Sequence, residues 1–141
     1  MIANIQGGIA QDERGQIRFV NDFDMTEVKR FYIIQNKDID LVRGWRGHRI
    51  EQRWFYVLSG SFSFDLVQID DWTQPTKELS VENRVMSSDD HTVLYIPAGY
   101  ATAIRALEEQ SELLVYSDYP VSHASEDNHV YPLDYFVHRK K

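Results

Sequence analysis

The run Arg43–Asp70, RGWRGHRIEQRWFYVLSGSFSFDLVQID, decides how the chain is read. It opens with four arginines and a histidine, at Arg43, Arg46, His48, Arg49 and Arg53. It then passes into two apolar and aromatic runs, RWFYVL and SFSFDLVQ, with Ser59-Gly60 between them. A two-residue Ser-Gly link between such runs is a β-hairpin signal. In the second run Phe62, Phe64 and Leu66 share one face, with Ser61, Ser63 and Asp65 opposite. In the first, Trp54, Phe55, Tyr56, Val57 and Leu58 predict burial on both faces. The densest positive charge therefore falls on the rim or inner face of a sheet. Guanidinium groups match phosphate and carboxylate oxygens in pairs, so the ribbon is read as one wall of a pocket for an anionic small molecule.

The flanking segments give the same strand-rich reading. Upstream, Val28–Gln35 is β-branched and aromatic, and its alternation places Arg30, Tyr32 and Ile34 on one face and Phe31 and Ile33 on the other. Residues 2–10 predict an N-terminal strand or arm, 12–15 a turn and 16–20 a short strand. Downstream, 70–75 is a turn-rich insertion carrying Trp72, 77–81 predicts a short strand, and 82–91 is polar and turn-like. Thr92–Ile96 predicts a strand ended by Pro97-Ala98-Gly99. Residues 101–106 and 113–117 read as a hairpin joined by the acidic loop 107–112. Residues 118–141 read as a docking tail able to close a barrel mouth, with Asp118 and Asp134 beside aromatic residues. His91, His123, His129 and His138 lie in polar segments and are expected at the surface. Many short strands without a long 3.6-residue period predict a single all-β domain, a barrel or sandwich.

Composition narrows the function classes. Across 141 residues, 22 Asp and Glu against 15 Lys and Arg give a net charge of −7. That balance argues against nucleic acid or an anionic membrane as partner, and makes the local arginine cluster stand out. There is no cysteine, so disulfide and thiol chemistry are excluded, consistent with an expected cytoplasmic location. The sequence MIANIQGG lacks a basic segment followed by an apolar one, so no secretory signal is expected, and no apolar run has the length to span a bilayer.

Several segments taken in order carry a resemblance. They are Asp12-x-Arg14-Gly15, Lys29-Arg30-Phe31-Tyr32-Ile33, Arg43-Gly44-x-x-x-His48, Gly60, Ile96-Pro97-Ala98-Gly99, Ser117-Asp118-Tyr119 and Asp134-Tyr135-Phe136. This order resembles the cupin-fold dTDP-sugar enzymes: most closely the dTDP-4-keto-6-deoxyglucose 3,4-ketoisomerases, more distantly the dTDP-4-dehydrorhamnose 3,5-epimerases. The resemblance runs from about Gly8 to Phe136. It implies a double-stranded β-helix, or jelly roll, that holds a nucleotide-linked sugar in the barrel, and a homodimer in which residues 2–10 could be an exchanged strand. It implies an isomerase or epimerase acting on a dTDP-4-keto-6-deoxyhexose by proton transfer through an enediol or enolate, without a cofactor, in the synthesis of surface polysaccharide.

The departures from that pattern are specific. The ketoisomerases carry Arg-Gly-x-His-x-His; here the first histidine position is Arg46 and only His48 remains. The epimerase base also falls at Arg46, and the histidine that follows the Pro-x-Gly element is replaced in the stretch Tyr100-Ala101-Thr102. Where metal-binding cupins place three histidines and a glutamate, this chain has Arg46, His48, Arg53 and Thr102, so no transition metal is expected. Since a guanidinium stays protonated, the base falls to His48, with Tyr32 or Tyr100 to hold or return a second proton. Arg43 and Arg46 are expected to face the ligand, with Arg53 a further candidate. The alternative is a catalytically silent cupin that binds a dTDP-sugar or a pathway enzyme.

Overall fold

The computed structural model of the chain describes residues 1–137. The predicted surface position of His138 lies outside them. Among the described residues, β1 (Ala3–Gln6), β2 (Gly8–Asp12), β3 (Gly15–Phe19), β4 (Arg30–Ile34), β5 (Val42–His48) and β6 (Arg53–Ser59) make the first half. The second half holds β7 (Ser61–Gln68), β8 (Glu82–Ser87), β9 (Thr92–Ile96), β10 (Tyr100–Ala106), β11 (Glu112–Ser117) and β12 (His129–Val130). Two five-stranded sheets, β1-β9-β6-β11-β4 and β12-β5-β10-β7-β8, face each other, and β2-β3 form a separate ribbon. All pairings are antiparallel. This is the expected jelly roll. None of the described helices is long and apolar enough to cross a membrane.

The Ser59-Gly60 link is not a hairpin. β6 pairs with β9 and β11, whereas β7 pairs with β8 and β10. The chain turns at Gly60 (φ +72°) from one sheet into the other, so that Phe55 and Phe64 meet edge-to-face across the sandwich at 5.3 Å. The link from β10 to β11 also crosses between sheets and is not a hairpin. A local turn signal reports that the chain reverses; it does not report whether the two strands share hydrogen bonds or face each other. Two further expectations are corrected. Residues 82–87 form the edge strand β8, with Met86 buried, and 77–81 hold only an isolated bridge at Val81. Glu, Asn and Arg on β8 suit an edge half open to water, which is why their polarity imitates a loop.

The inward faces build the core from Phe55, Val57, Phe62, Phe64, Leu94 and Leu113, all at most 2% exposed, with others around them. Alternation on β4 holds as predicted: Phe31 and Ile33 are exposed, while Arg30, Tyr32 and Ile34 turn inward. A second cluster, including Trp45, Val67, Ala101 and Phe136, lies on the far side of the β5 sheet. The tail and the Trp72 insertion cover it together: Tyr131 Oη donates to the Trp72 carbonyl (2.9 Å) and Tyr135 Oη to that of Pro75 (2.5 Å). His129 is half-buried against Trp72, with ring centres 4.8 Å apart, and His91 is also half-buried; only His123 matches the expected exposure.

Candidate active site

The apolar core fills one end of the sandwich. The other end opens into a cavity of about 780 Å³, lined by Arg30 and Tyr32 of β4, Arg43, Arg46 and His48 of β5, and Glu51, Arg53 and Thr102. Ala124 and Ser125, within a 3-10 helix at Val121–Asp127, and Asn128, which caps it, complete the wall.

Strand register explains how the arginines converge. On β5, His48 pairs with Tyr100 and Arg46 with Thr102, but Arg43 pairs with Ile104. Three steps on β5 therefore match two on β10, and this bulge turns Arg43 to the face that Arg46 and His48 already share. Gly44 sits in the bulge, where a Cβ would lie 2.6 Å from the Thr102 carbonyl oxygen, so no larger residue fits. Arg43 and Arg46 are exposed at the mouth. Arg53 is buried, donating from Nη2 to Thr102 Oγ1 (3.0 Å) with its guanidinium carbon 5.0 Å from the Phe55 ring centre. Arg30 is half-buried and donates from Nε to the Tyr119 carbonyl (3.0 Å). Arg49 is exposed and does not line the cavity.

His48 is held in a defined orientation. Its Nδ1 lies 2.8 Å from the Asp127 carbonyl, which can only accept, so Nδ1 carries the proton and Nε2 keeps a free lone pair. Burial, then the Arg53 guanidinium, push the imidazole down to about 3, so it is neutral across the physiological range. Asp127 is itself fully buried, and its carboxylate accepts from the backbone N–H groups of Arg49 (2.8 Å), Ile50 (3.0 Å) and Glu51 (2.7 Å). That clasp ties the tail to the turn after β5 and sets the backbone of both His48 and Glu51.

Glu51 is 3% exposed, with Oε1 3.9 Å from His48 Nδ1 and 3.9 Å from Arg30 Nη2. Burial raises its carboxyl above the ordinary carboxylate range, opposed by Arg53, the Ser117 hydroxyl and Arg30. His48, Glu51 and Asp127 bring potential metal-ligand atoms within 4.8 Å of one another. Both Asp127 oxygens are nevertheless occupied by backbone N–H groups, and His48 Nδ1 is turned to a carbonyl. The positions used by metal-binding cupins carry the Arg53–Thr102 pair and Arg46. This donor set does not fit a transition metal.

Of the residues singled out in the sequence, the structure gathers Tyr32, Arg43, Arg46, His48 and Arg53 around one cavity. Tyr100 is not among the lining residues; it packs against the main core cluster, in the field of Glu82 and Arg84. Arg30 and Glu51 were not singled out. Arg30 was recoverable from the alternation that puts it on the face of Tyr32. Glu51 carried no such signal, because it lies in a turn between two sheets.

Solved structures with this fold include QdtA, a sugar 3,4-ketoisomerase from Thermoanaerobacterium thermosaccharolyticum in complex with TDP. It is 23% identical over 90% of this chain and 85% of its own, with a TM-score of 0.66. A 3,4-ketoisomerase from Helicobacter canadensis is 16% identical over 97% and 90%, with a TM-score of 0.66. The rmlC epimerase of Mycobacterium tuberculosis is 15% identical over 92% and 68%, with a TM-score of 0.73. Among curated proteins, none matches the chain in sequence. The family described as FdtA: WxcM-like, C-terminal, matches residues 2–140, and the chain belongs to that family.

Proposed function

We propose that this protein is a sugar-nucleotide isomerase or epimerase that acts on a dTDP-linked 4-keto-6-deoxyhexose by cofactor-free proton transfer, in a cytoplasmic route to surface polysaccharide. The observation that carries the reading is the convergence of Arg30, Arg43, Arg46 and Arg53 on the cavity that also presents the free Nε2 of His48. The exposed Arg43 and Arg46 suit a diphosphate at the mouth. The buried Arg53 suits the oxyanion of an enolate deeper inside, where low dielectric strengthens its pull. His48 Nε2 is free to accept a proton from the substrate, and Tyr32 lines the same wall and could return one. A ketone acidifies the hydrogen on the adjacent carbon, so base, acid and oxyanion donors suffice for the chemistry. Support also comes from the fold, shared with two ketoisomerases, one of them solved in complex with TDP, and with an epimerase.

The test is incubation with dTDP-4-keto-6-deoxyglucose in deuterated water, followed by NMR. Deuterium should enter at a carbon next to the ketone; a sugar that keeps all its protons refutes the reaction. Arg46 and Thr102, standing where relatives carry histidines, favour a second reading, a silent cupin that binds a dTDP-sugar. It predicts thermal stabilisation by dTDP without any exchange.

A further inference from the structure

Glu51 is the ionisable group of the cavity that the reading above leaves without a task. Taking a carboxylate out of water costs several kcal/mol unless close partners compensate. A glutamate kept only to neutralise arginines would be expected in a forked contact at about 2.7–2.9 Å. Instead Glu51 Oε1 lies 3.9 Å from Arg30 Nη2 and 3.9 Å from His48 Nδ1. The Asp127 clasp fixes the Glu51 backbone through a 2.7 Å bond, and the side chain is 3% exposed. The carboxylate is thus oriented and shielded, yet not consumed by an ion pair, and it lines the cavity.

We propose that Glu51 is a further catalytic residue, the base that lifts the carbon-bound proton, while neutral His48 exchanges the proton of the neighbouring hydroxyl through Nε2. The inference rests on the reaction proposed above. In the step, the Glu51 carboxylate takes the hydrogen on the carbon beside the ketone as a proton. The C–H electron pair becomes a carbon–carbon double bond, and the carbonyl π pair moves onto oxygen, where Arg53 faces it. The carboxyl exchanges that proton with solvent and returns a solvent-derived one to carbon, so no oxidant or reductant is needed. A buried carboxylate paired with a neutral imidazole is a known division of labour in enediol chemistry. It suits this site because an imidazole held at about 3 is a weak base, whereas burial makes Glu51 a stronger one than a solvated carboxylate.

The experiment compares wild type, Glu51→Gln and Glu51→Asp. Each is assayed for deuterium uptake by dTDP-4-keto-6-deoxyglucose and, separately, for dTDP affinity. Glu51→Gln should bind dTDP as wild type does and lose about 10²–10⁴-fold in exchange rate. Glu51→Asp keeps the charge but draws it back, and should bind dTDP equally well and exchange about 10²-fold more slowly. Should Glu51→Gln not fold, Glu51→Asp decides the question. Exchange at the wild-type rate in either variant overturns the assignment, as does loss of dTDP affinity in step with exchange. If wild type itself shows no exchange, the reaction class fails and the role of Glu51 with it, a result distinct from wild type exchanging alongside an equally active Glu51→Gln.

Discussion

Asp127→Asn probes the junction on which the site depends. The fully buried Asp127 carboxylate accepts the N–H groups of Arg49, Ile50 and Glu51 at 2.8, 3.0 and 2.7 Å. Asparagine keeps one acceptor oxygen and replaces the other with an NH2 that faces a backbone donor. One charge-assisted bond is lost outright, the remaining ones become neutral, and a buried N–H is left without an acceptor. Hydrogen bonds to a charged group contribute about 1.5–3 kcal/mol each, so the net loss should be about 2–4 kcal/mol, a large fraction of the roughly 5–15 kcal/mol typical of a whole domain. Urea unfolding followed by tryptophan fluorescence measures it, since Trp45 and Trp72 lie under the tail and report its release. Because the clasp also sets the Glu51 backbone and Asp127 supplies the carbonyl partner of His48, deuterium exchange into the keto sugar should fall in parallel. An unfolding curve within about 0.5 kcal/mol of wild type, the scale of an ordinary surface substitution, would show that the clasp does not hold the tail.

Acid stability should reveal the buried imidazole. His48 titrates at about 3 when folded and near 6.5 when unfolded, so the unfolded chain alone takes up the proton between those values and stability falls as pH drops below 6.5, by about 2 kcal/mol at about pH 5. Glu51, raised by burial, acts with the opposite sign, since acidification relieves its buried charge; the difference between wild type and His48→Asn in urea titrations across pH isolates the histidine. A difference that stays flat from pH 7 to about pH 4 refutes the depressed imidazole. Gly60→Ala should cost about 2–4 kcal/mol, from the left-handed backbone and from overpacking, because φ is +72° and the new Cβ would meet Ser111 Oγ at 2.0 Å; thermal unfolding near wild type would contradict that packing. Arg46→Gln should weaken dTDP binding and flatten its salt dependence, measured by calorimetry at two ionic strengths, and an unchanged affinity would remove Arg46 from the phosphate clamp.

Alternation was legible in the residues themselves. Phe62, Phe64 and Leu66 on one face of β7, and Arg30 and Tyr32 against Phe31 and Ile33 on β4, follow from the two-residue period of an extended chain, which needs no knowledge of neighbours. The convergence of Arg46 and His48 followed from the same rule. Arg43 joined them only through a bulge against β10, a property of two strands far apart in sequence. At Ser59-Gly60 the residues signal a turn but not its kind, because a hairpin and a jelly-roll corner share the same local chemistry and differ only in which strands lie alongside. Polar β8 was hidden for a related reason: an edge strand half in water has no apolar alternation to betray it.

The sequence by itself determined the strand-rich character, the inward set of large side chains and a ribbon of positive charge, since these depend on residue type and on contacts within a few positions. Tertiary structure alone decided that Asp127, far along the chain, clasps the turn after β5, that this turn sends Glu51 into the cavity, and that burial among guanidinium groups keeps His48 neutral. Desolvation and long-range charge belong to the assembled volume around a group, and no reading along the chain contains that volume.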